Sequence, residues 1–469
     1  MKNISHTRLR LALVASVSSL ALAGCGLGGS SGSSGASGSG GAQAIPKPDV
    51  SCNVPAKNVD ASKVSTSNPK GTITWETQGL KQDFGDVFNP LIAAFEKAHP
   101  GTTIKWVDAP TADDFDARMV SDAQTCVMAD VINVPSSTIM ALTKANLLLD
   151  LDVKAPGIGA PFLPKIWDKL GFGANNSHTA LPWYWAPTIT TYNKNIFAKA
   201  GITAPPKNWD EYVADAKKVN KATGGKDYSV WGNPQWSLLS TWLGMGVKVM
   251  NSDNTQFTFA DDPNAQKWLT DMQSLYKAGA IPKDSVTGKP DPSQAYLEGN
   301  LAFGSPNPSF LRNVKKNAPA LYPQTGVGPH LMSKGGSVLV DAQYIAVSAT
   351  TKNAPLALAW AKYITSAKNQ LVFDKDPQVA IFPTATKALN DPFFTKADTS
   401  TPLGQARATA AKAAKQGTVN LSLFYITGQI QTTLLQDIQQ AITGQKSPQS
   451  ALSDAQSQAN KLLKRLQSS

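Results

Sequence analysis

From about residue 72 onward, segments in which hydrophobic residues recur at every second position alternate with segments that have the spacing of a helix. Thr72-Ile73-Thr74-Trp75 alternates with the period of two that predicts a strand, and Ile104 and Trp106 indicate a second one. Between them, Asn89-Pro90 opens a predicted helix that ends at His99-Pro100-Gly101. A strand, a helix and a second strand therefore follow one another at the start of the folded body.

The alternation continues further along the chain. Another helix is expected around Met119, and Val131-Ile132-Asn133-Val134 is typical of a strand buried on both faces. Ser136 or Ser137 can cap the helix that follows. This β-α-β-α-β order predicts an α/β fold with a parallel, doubly wound sheet. Ligands of such sheets bind outside the carboxyl ends of the strands, here the turns after the first and third strands.

The N-terminal segment has the pattern of an export signal. Basic residues precede an apolar run from Leu11 to Ala23, which is shorter than the roughly 20 residues that span a bilayer. The run ends in Leu22-Ala23-Gly24-Cys25, which resembles a bacterial lipobox. In that motif the cysteine, here Cys25, receives a diacylglycerol, so residues 1–24 are expected to be a lipoprotein signal peptide.

Residues 25–69 are expected to form a lipid-anchored tether and an N-terminal extension. Gly26 to Gly41 is almost entirely Gly and Ser, which behaves as a flexible chain. The anchor would hold the protein on the extracellular face of the cell membrane. With Cys25 lipidated, Cys52 and Cys126 remain in an oxidising compartment, and we expect them to form a disulfide. The alternative is a pair of buried free thiols.

Composition and charge narrow the function classes. An apolar content of 42% and a charged content of 16% are ordinary for a soluble globular protein. The formal charge of +11 is scattered, without the basic stripe and interleaved aromatics of a nucleic-acid interface, so no nucleic-acid partner is expected. The sequence lacks a His-Glu-x-x-His motif, a Walker loop and a zinc-type Cys/His cluster, and neither a metal nor another cofactor is expected.

Several segments, spread over nearly the whole body from about 72 to 466, carry a family resemblance. They are Phe95–Gly101, Ala129–Val131, Leu181–Pro182, Tyr192–Phe197, Ala200–Ile202, Pro206–Glu211 and Tyr296–Phe303. Their order and spacing resemble those of the periplasmic and lipoprotein solute-binding proteins, the family that contains maltose-binding protein.

The resemblance implies a two-lobed periplasmic-binding-protein fold of type II, the Venus-flytrap arrangement, with hinge crossovers. Lobe one is expected at 70–186 and 330–370, and lobe two at 187–329 and 371–469. The crossings are expected near Trp185, at Gln324 to His330 and at Lys368 to Phe373. The implied function is not enzymatic: a monomeric lipoprotein binds a sugar or oligosaccharide between its lobes and delivers it to the permease of an ABC importer.

A sugar ring has apolar patches and a rim of hydroxyls, so its site needs flat aromatic faces and planar polar groups. The ligand-binding candidates are Trp183, Tyr184 and Trp185 at the first crossing, Gln235, Trp236, Asn307 and Tyr425 in lobe two, and Glu76, Gln78, Ser136, Asp341 and Gln343 in lobe one. Neighbours in an extended segment point in opposite directions, so at least one of the three consecutive aromatics is expected in the cleft. Trp231 and Trp242 are interpreted as core residues. Maltose-binding protein carries a stacking Trp near the position of Asn307, and this chain has none there.

Two other functions stay open. The first is a binding lipoprotein for a polyol, a glycerophosphodiester or a peptide; the lobe-one cleft segments contain no Arg, which disfavours a phosphate. The second, less favoured, is a cell-envelope hydrolase, because paired carboxylates need only the right separation in space. Ser274–Lys277 and Ser252–Asn254 resemble motifs of penicillin-recognising enzymes, but they occur in reversed order and no Lys-Thr-Gly follows.

Overall fold

The computed structural model describes residues 45–110, 115–235, 237–287, 292–394 and 396–468. The expected signal peptide, Cys25 and the Gly/Ser tether lie outside the described residues. Within the ranges given, no helix combines the length and the apolar content that crossing a bilayer requires.

The secondary structure alternates strands and helices in the first part of the chain and becomes mainly helical later. The strands are β1 Gly71–Gln78, β2 Thr102–Ala109, β3 Val131–Val134, β4 Ala180–Trp185, β5 Thr190–Asn193, β6 Thr325–Gly328, β7 Val338–Leu339, β8 Ala342–Val347, β9 Phe382–Pro383 and β10 Gly417–Thr418. The helices are α1 Ala56–Val59, α2 Lys81–Ala98, α3 Phe115–Gln124, α4 Ser136–Lys144, α5 Leu151–Lys154, α6 Pro164–Trp167, α7 Lys194–Lys199, α8 Trp209–Thr223, α9 Leu238–Met245, α10 Pro263–Lys277, α11 Ser293–Leu297, α12 Phe310–Asn317, α13 Ala354–Ile364, α14 Ala367–Asp374, α15 Thr386–Leu389, α16 Pro402–Gln416, α17 Ser422–Tyr425, α18 Gly428–Ile442 and α19 Pro448–Ser468.

A six-stranded sheet with the order β2-β1-β3-β8-β4-β9 forms the centre of lobe one. β2, β1 and β3 are parallel, as their alternation with helices predicts, whereas β8 runs antiparallel to β3 and β4. The α/β fold is confirmed, but the sheet is mixed rather than fully parallel. Because β8 is reversed, its first residues lie at the edge where β1, β3 and β4 end.

Helices cover both faces of this sheet, so its strands are buried on both sides. One face packs Trp75 and Trp183 against α2, α13 and α14. The other face packs Tyr344 and Phe382 against α3, α4 and α16. Trp75 is fully buried and contacts the ring of Trp360 at a centroid distance of 5.2 Å. These two apolar layers make lobe one a rigid frame for the edge of the sheet.

The first long helix begins earlier than its sequence predicts. It starts at Lys81 rather than at Asn89-Pro90, and Pro90 lies inside it. The Asp108 carboxylate, at the end of β2, accepts hydrogen bonds from the backbone N–H groups of Leu80 and Lys81, both at 3.0 Å. A carboxylate from the neighbouring strand thus satisfies the helix N-terminus, a signal that local sequence does not contain.

Lobe two is a mainly helical body around α8, α9, α10, α18 and α19. Its core is one apolar cluster that includes Trp242, Trp268 and Ile438. The antiparallel pair β5–β6 forms a small sheet in this lobe, directly after the chain leaves β4. Each lobe therefore has its own main core, while Leu311 of α12 and Phe424 of α17 pack into the lobe-one cluster.

Three segments connect these cores, and we propose that they form the hinge. The first two are residues 186–189, after β4, and residues 329–341, before β8. The expected third crossing at Lys368–Phe373 is instead part of α14, where Phe373 packs on Phe84 at a centroid distance of 4.9 Å. Phe382–Pro383 also pairs with β4 in the lobe-one sheet. We therefore propose that lobe one extends to about residue 416 and that the third crossing begins at β10.

The N-terminal extension lies along lobe one. Cys52 and Cys126 form a disulfide with a Cα–Cα distance of 6.1 Å. The side chain of Asn58 donates hydrogen bonds to the carbonyls of Ala349 (2.9 Å) and Thr351 (2.7 Å). Both carbonyls follow β8, at the edge of the sheet remote from the ends of β1, β3 and β4.

Candidate functional site

Polar side chains collect where β3 and β4 end and β8 begins. Tyr184 lies opposite Gln343 in the β4–β8 ladder, and Val134 lies opposite Tyr344 in the β3–β8 ladder. Ser136 follows β3 directly and Asp341 precedes β8. The structure thus brings together four of the residues expected from the sequence, Tyr184, Ser136, Asp341 and Gln343, at one edge of the lobe-one sheet.

We call these four residues the polar edge. Hydrogen bonds hold its acceptor groups in place. The side-chain amide of Asn133 donates to Gln343 Oε1 and to the carbonyl of Tyr344, both at 3.2 Å. The hydroxyl of Ser136 donates to Asp341 Oδ1 at 3.3 Å. Asn133 was missed as a site residue, although a lone amide in an otherwise apolar strand was the available signal.

Asp341 is the ionisable group of the polar edge. It is exposed to solvent, yet the protein around it removes part of the hydration of its carboxyl. This desolvation raises the pKa of Asp341 to about 6, against the opposing effect of the hydrogen bond from Ser136. The neighbouring Tyr344 hydroxyl is buried and has no hydrogen-bond partner among the described residues. The edge therefore offers an acceptor that is mostly ionised at neutral pH.

The three consecutive aromatic residues take different positions. Trp183 and Trp185 are each 1% exposed and belong to the apolar layers on opposite faces of the sheet. The register of β4 shifts between Pro182 and Tyr184, so Tyr184 packs in the same layer as Trp183 instead of opposite it. The expected ligand contacts of Trp183 and Trp185 are wrong, because neither ring has a free face. Tyr184, which is half-buried, is the one that remains accessible at the edge.

Two lobe-one candidates follow β1. The carboxylate of Glu76 forms an ion pair with Arg118 at 2.6 Å, and Arg118 also binds Asp122 at 2.9 Å. Glu76 therefore stays a ligand candidate whose side chain is 12% exposed and already has a charged partner. Gln78 is half-buried at the carboxyl end of β1.

A pocket of about 680 Å³, part of it open to solvent, lies in lobe two. Its lining starts on the first crossing and continues through the helices of lobe two. The aromatic rings that line it are Trp209, Tyr212, Trp231, Trp268 and Phe303, and the hydroxyl groups are those of Tyr212, Thr188, Thr190, Thr191, Ser237, Ser240 and Thr241. Tyr212 is stacked between Trp209, at 5.2 Å, and Phe303, at 4.1 Å, which fixes the ring positions.

The pocket is uncharged. None of its described lining residues is Asp, Glu, Lys or Arg. Its one imidazole, His330, is 7% exposed and is hydrogen-bonded through Nδ1 to the hydroxyl of Thr188 at 2.6 Å. Burial lowers the pKa of His330 to about 4, so this ring is neutral at physiological pH. Rings and hydroxyls without a fixed charge suit a neutral, hydroxyl-rich ligand.

None of the lobe-two candidates from the sequence is among the described lining residues of this pocket. Gln235 is half-buried beside the lining residue Pro234, and Trp236 lies outside the described residues. Asn307 is exposed, and its side-chain oxygen accepts the backbone N–H of Ser309 at 2.9 Å. Tyr425 is half-buried at the end of α17.

Trp231 and Trp242 have different surroundings, although both are interpreted as core residues from the sequence. Trp242 is 1% exposed and belongs to the core of lobe two, as expected. Trp231 is half-buried and lines the pocket. The sequence around Trp231 holds no signal that separates it from the core tryptophans. No group of three or more His, Cys, Asp or Glu side chains in the described ranges is arranged to hold a metal ion.

Several known proteins are similar in sequence to half or more of this chain. A Brucella abortus relative, named only as a binding protein, is 26% identical over 271 residues, which are 55% of this chain and 63%, less than two thirds, of the relative. The diacetylchitobiose binding protein DasA of Streptomyces coelicolor is 24% identical over 252 residues, 51% of this chain and 57% of DasA. The sn-glycerol-3-phosphate-binding periplasmic protein UgpB of Escherichia coli is 26% identical over 371 residues, 72% of this chain and 80% of UgpB.

Solved structures show the same fold. The GacH receptor of Streptomyces glaucescens, solved without ligand and with acarbose, matches with a TM-score of 0.69 at 20% identity, over 84% of this chain and 99% of GacH. The family model for the bacterial extracellular solute-binding proteins matches residues 78–371, more than half of the chain. The chain therefore belongs to the bacterial extracellular solute-binding proteins.

Proposed function

We propose that this protein is the binding lipoprotein of an ABC sugar importer and that it captures a neutral sugar or short oligosaccharide. The observation that carries the proposal is the uncharged pocket in lobe two, whose described lining combines the half-buried rings of Trp231 and Tyr212 with seven hydroxyl groups. Aromatic faces pack against the apolar patches of a sugar ring, and hydroxyls exchange hydrogen bonds with its rim. The polar edge of lobe one supplies further acceptors on the other side of the cleft.

The binding mechanism follows from the two-lobed fold. A ligand that touches both the pocket and the polar edge makes all its contacts only when the lobes are closed. Its binding free energy therefore favours the closed state, and moving the population from 1:99 to 99:1 requires roughly 5.5 kcal/mol of preference. Several hydrogen bonds together with packing on aromatic rings supply free energies of this order.

A phosphorylated solute is the main alternative, because relatives named for sn-glycerol-3-phosphate match a larger share of the chain. Recognition of a phosphate favours Arg or Lys at the site. The described lining of the pocket contains neither, and its one imidazole is neutral. A neutral polyol remains a second candidate, since it presents the same hydroxyl groups as a sugar. A hydrolase is less supported, since Glu76, near the polar edge, is occupied by Arg118.

A thermal-shift screen tests the proposal. The purified protein is melted with neutral mono- and oligosaccharides, with polyols and with glycerol 3-phosphate, each over a range of concentrations. A bound sugar stabilises the folded protein by about 2.7 kcal/mol at a hundred times its Kd. Stabilisation by glycerol 3-phosphate and by no sugar would contradict the proposal, and stabilisation by polyols alone would replace the sugar with the second candidate.

We also propose that Cys25 anchors the protein to the outer face of the cell membrane. The lipobox-like Leu22–Cys25 and the Gly/Ser segment after it support this anchor. Metabolic labelling with an alkyne fatty acid should mark the wild-type protein but not the Cys25→Ala variant. Equal labelling of both proteins would remove Cys25 from this role. The permease partner is proposed from the family alone.

A further inference from the structure

Lobe one and lobe two are joined by the packing of Leu311 and Phe424 in the lobe-one cluster and, among their polar contacts, by two side-chain bridges. Arg312, on α12, forms an ion pair with Asp83 on α2 at 2.9 Å, and its guanidinium carbon lies 4.9 Å from the centre of the Phe84 ring. On the other bridge, the Asp116 carboxylate of α3 accepts the backbone N–H of Gly428, the first residue of α18, at 2.7 Å. α2 and α3 belong to the helical layers on opposite faces of the lobe-one sheet. The bridges therefore stand on opposite sides of that sheet.

The Asp116 bridge is a built contact rather than a chance approach. The second carboxylate oxygen of Asp116 accepts hydrogen bonds from the hydroxyls of Ser137, at 3.3 Å, and Thr138. Thr427, the residue before α18, makes no side-chain cap. Asp116 therefore supplies from lobe one the negative charge and the acceptor that the N-terminus of a lobe-two helix requires.

Both bridges are connected to the walls of the lobe-two pocket. The side chain of Gln431, in the first turn of α18, donates to the carbonyl of Gln235 at 3.2 Å, beside the pocket segment that holds Pro234 and Ser237. On the other side, Trp231 packs edge-on against Phe310 at 5.5 Å, two residues before Arg312. Each bridge is therefore linked to a wall of the pocket through intervening residues.

The floor of the pocket is closed by the core of lobe two. Trp268 and Met272 line the pocket and are each 3% exposed. A sugar chain cannot continue through this floor, so only one of its ends can enter. The rest of a longer chain would have to leave through the side of the pocket that is open to solvent.

We propose that the Arg312–Asp83 and Asp116–Gly428 bridges confine the ligand, so that the protein selects sugars of one or two units over longer chains. This inference rests on the proposed sugar-binding function. A longer oligosaccharide would have to displace a bridge for the lobes to close. The free energy of its binding would then lack the contribution of the bridge or that of the contacts made in the closed state.

Calorimetry with oligosaccharide series tests the inference. Glucose oligomers with α-1,4 or β-1,4 linkages and β-1,4 N-acetylglucosamine oligomers, each from monomer to hexamer, are titrated into the wild-type protein and into Arg312→Ala, Asp116→Asn and the double variant. We expect the wild type to bind tetramer to hexamer about tenfold more weakly than the best monomer or dimer, a difference of about 1.4 kcal/mol. The double variant should lose most of this discrimination. Lys315→Ala removes an exposed positive charge from the same helix α12 and should keep it.

The outcomes separate the inference from the proposed function. A wild type that binds the hexamer as tightly as the dimer overturns the length selection, while the sugar-binding function stands. Discrimination that stays unchanged in the double variant also overturns it. If neither sugars nor polyols stabilise the protein in the thermal-shift screen, the proposed function itself fails. If Arg312→Ala does not fold, Asp83→Asn is used in its place, because it removes the other charge of the same ion pair.

Discussion

Trp231 is the single side chain through which the pocket can be tested most directly. It lines the pocket and is half-buried, with its edge against Phe310. Replacing Trp231 with Ala removes a ring face from the ligand, and we expect sugar affinity to fall by a factor of about ten to a hundred, or 1.4–2.8 kcal/mol. Calorimetry measures this loss on a variant whose folding is checked by its melting curve.

Trp185→Ala is the matched control, because this ring is 1% exposed and packs in lobe one. Removal of a buried Trp costs about 3–5 kcal/mol of unfolding free energy. We therefore expect Trp185→Ala to lower the melting temperature strongly and Trp231→Ala to lower it much less. Unchanged sugar binding in Trp231→Ala would take that ring out of the site.

Asp341 makes ligand binding depend on pH. Its pKa of about 6 lies above the 3.8 of an unperturbed carboxyl, so its ionised fraction rises steeply between pH 5 and 7. If the ionised carboxyl accepts a ligand hydroxyl, the affinity should rise over the same range and become flat in Asp341→Asn. Calorimetry at several pH values measures both profiles. Identical profiles in the two proteins would exclude Asp341 from ligand binding.

The stability of the protein should show the opposite sign. A carboxyl whose pKa is raised by folding stabilises the folded state below pH 4, and this contribution is lost as the pH rises through about 6. Asp341→Asn should therefore be more stable than the wild type at pH 7.5 but not at pH 4. This gain shows whether the carboxyl is desolvated, independently of any ligand.

At the residue scale, the sequence predicts the polar residues of the polar edge well, but it does not predict which aromatic rings are accessible. Ser136, Asp341 and Gln343 follow from strand ends, and the structure places them together. Trp183 and Trp185 could not be excluded from the sequence, because the register shift in β4 depends on pairing with β8. The ion pair of Glu76 with Arg118 likewise joins two elements far apart in sequence.

At the scale of elements, the N-terminal extension acts as part of lobe one. Lys154 of α5 is fully buried, and its ammonium donates to Asp60 Oδ1 at 3.0 Å, to the carbonyl of Asp60 at 2.5 Å and to that of Ser62 at 3.2 Å. Every one of these acceptors comes from the extension. Hydrogen bonds from Ser62, and then the contact with Lys154, lower the pKa of Asp60 to about 2. The extension thus neutralises a buried charge of the lobe.

Removal of the extension should therefore destabilise lobe one through Lys154. We expect a chain that starts at Lys70 to lose about 3 kcal/mol or more of unfolding free energy, because a buried ammonium loses its partners. Lys154→Met should recover part of this loss in the truncated chain but not in the full-length chain. Urea unfolding measures all four proteins.

The full-length protein with its disulfide reduced is the control for this experiment. It loses the Cys52–Cys126 link but keeps the acceptors of Lys154. If reduction alone destabilises as much as truncation, the disulfide, and not the buried charge, accounts for the role of the extension. Mass analysis with and without reductant verifies the state of the two thiols.

The alternation of strands and helices was the part of the fold that sequence predicted best. β1, α2, β2, α3, β3 and α4 follow one another as the apolar periods predict. The start of α2 was wrong, since Asp108 caps it from β2 and Pro90 lies within it. Element order depends on local periodicity, whereas this boundary depends on a tertiary contact.

At the scale of the whole molecule, the pocket and the crossings come from widely separated segments. The pocket combines Thr188 on the first crossing, Trp268 on α10 and His330 on the second crossing. No sequence period connects such positions, which is why the family resemblance predicted the two lobes but not this pocket. We propose a later third crossing than the one expected from the sequence because β9 pairs with β4 over a long sequence separation.

Gly417 provides a test of the hinge that leaves every proposed ligand contact intact. It begins β10, which pairs with β7 at the crossings, and a Cβ there would lie 2.7 Å from the Trp185 ring and 2.9 Å from Val340. Overpacking of this kind typically costs about 1–3 kcal/mol. We expect Gly417→Ala to push the crossing strands away from Trp185, to alter the interlobe angle seen by X-ray scattering and to weaken sugar binding.

Gly85→Ala, whose added methyl would meet only Asn89 at an ordinary 3.5 Å, is the control. If Gly417→Ala lowers stability without changing affinity or scattering, β10 is core packing and not part of the hinge.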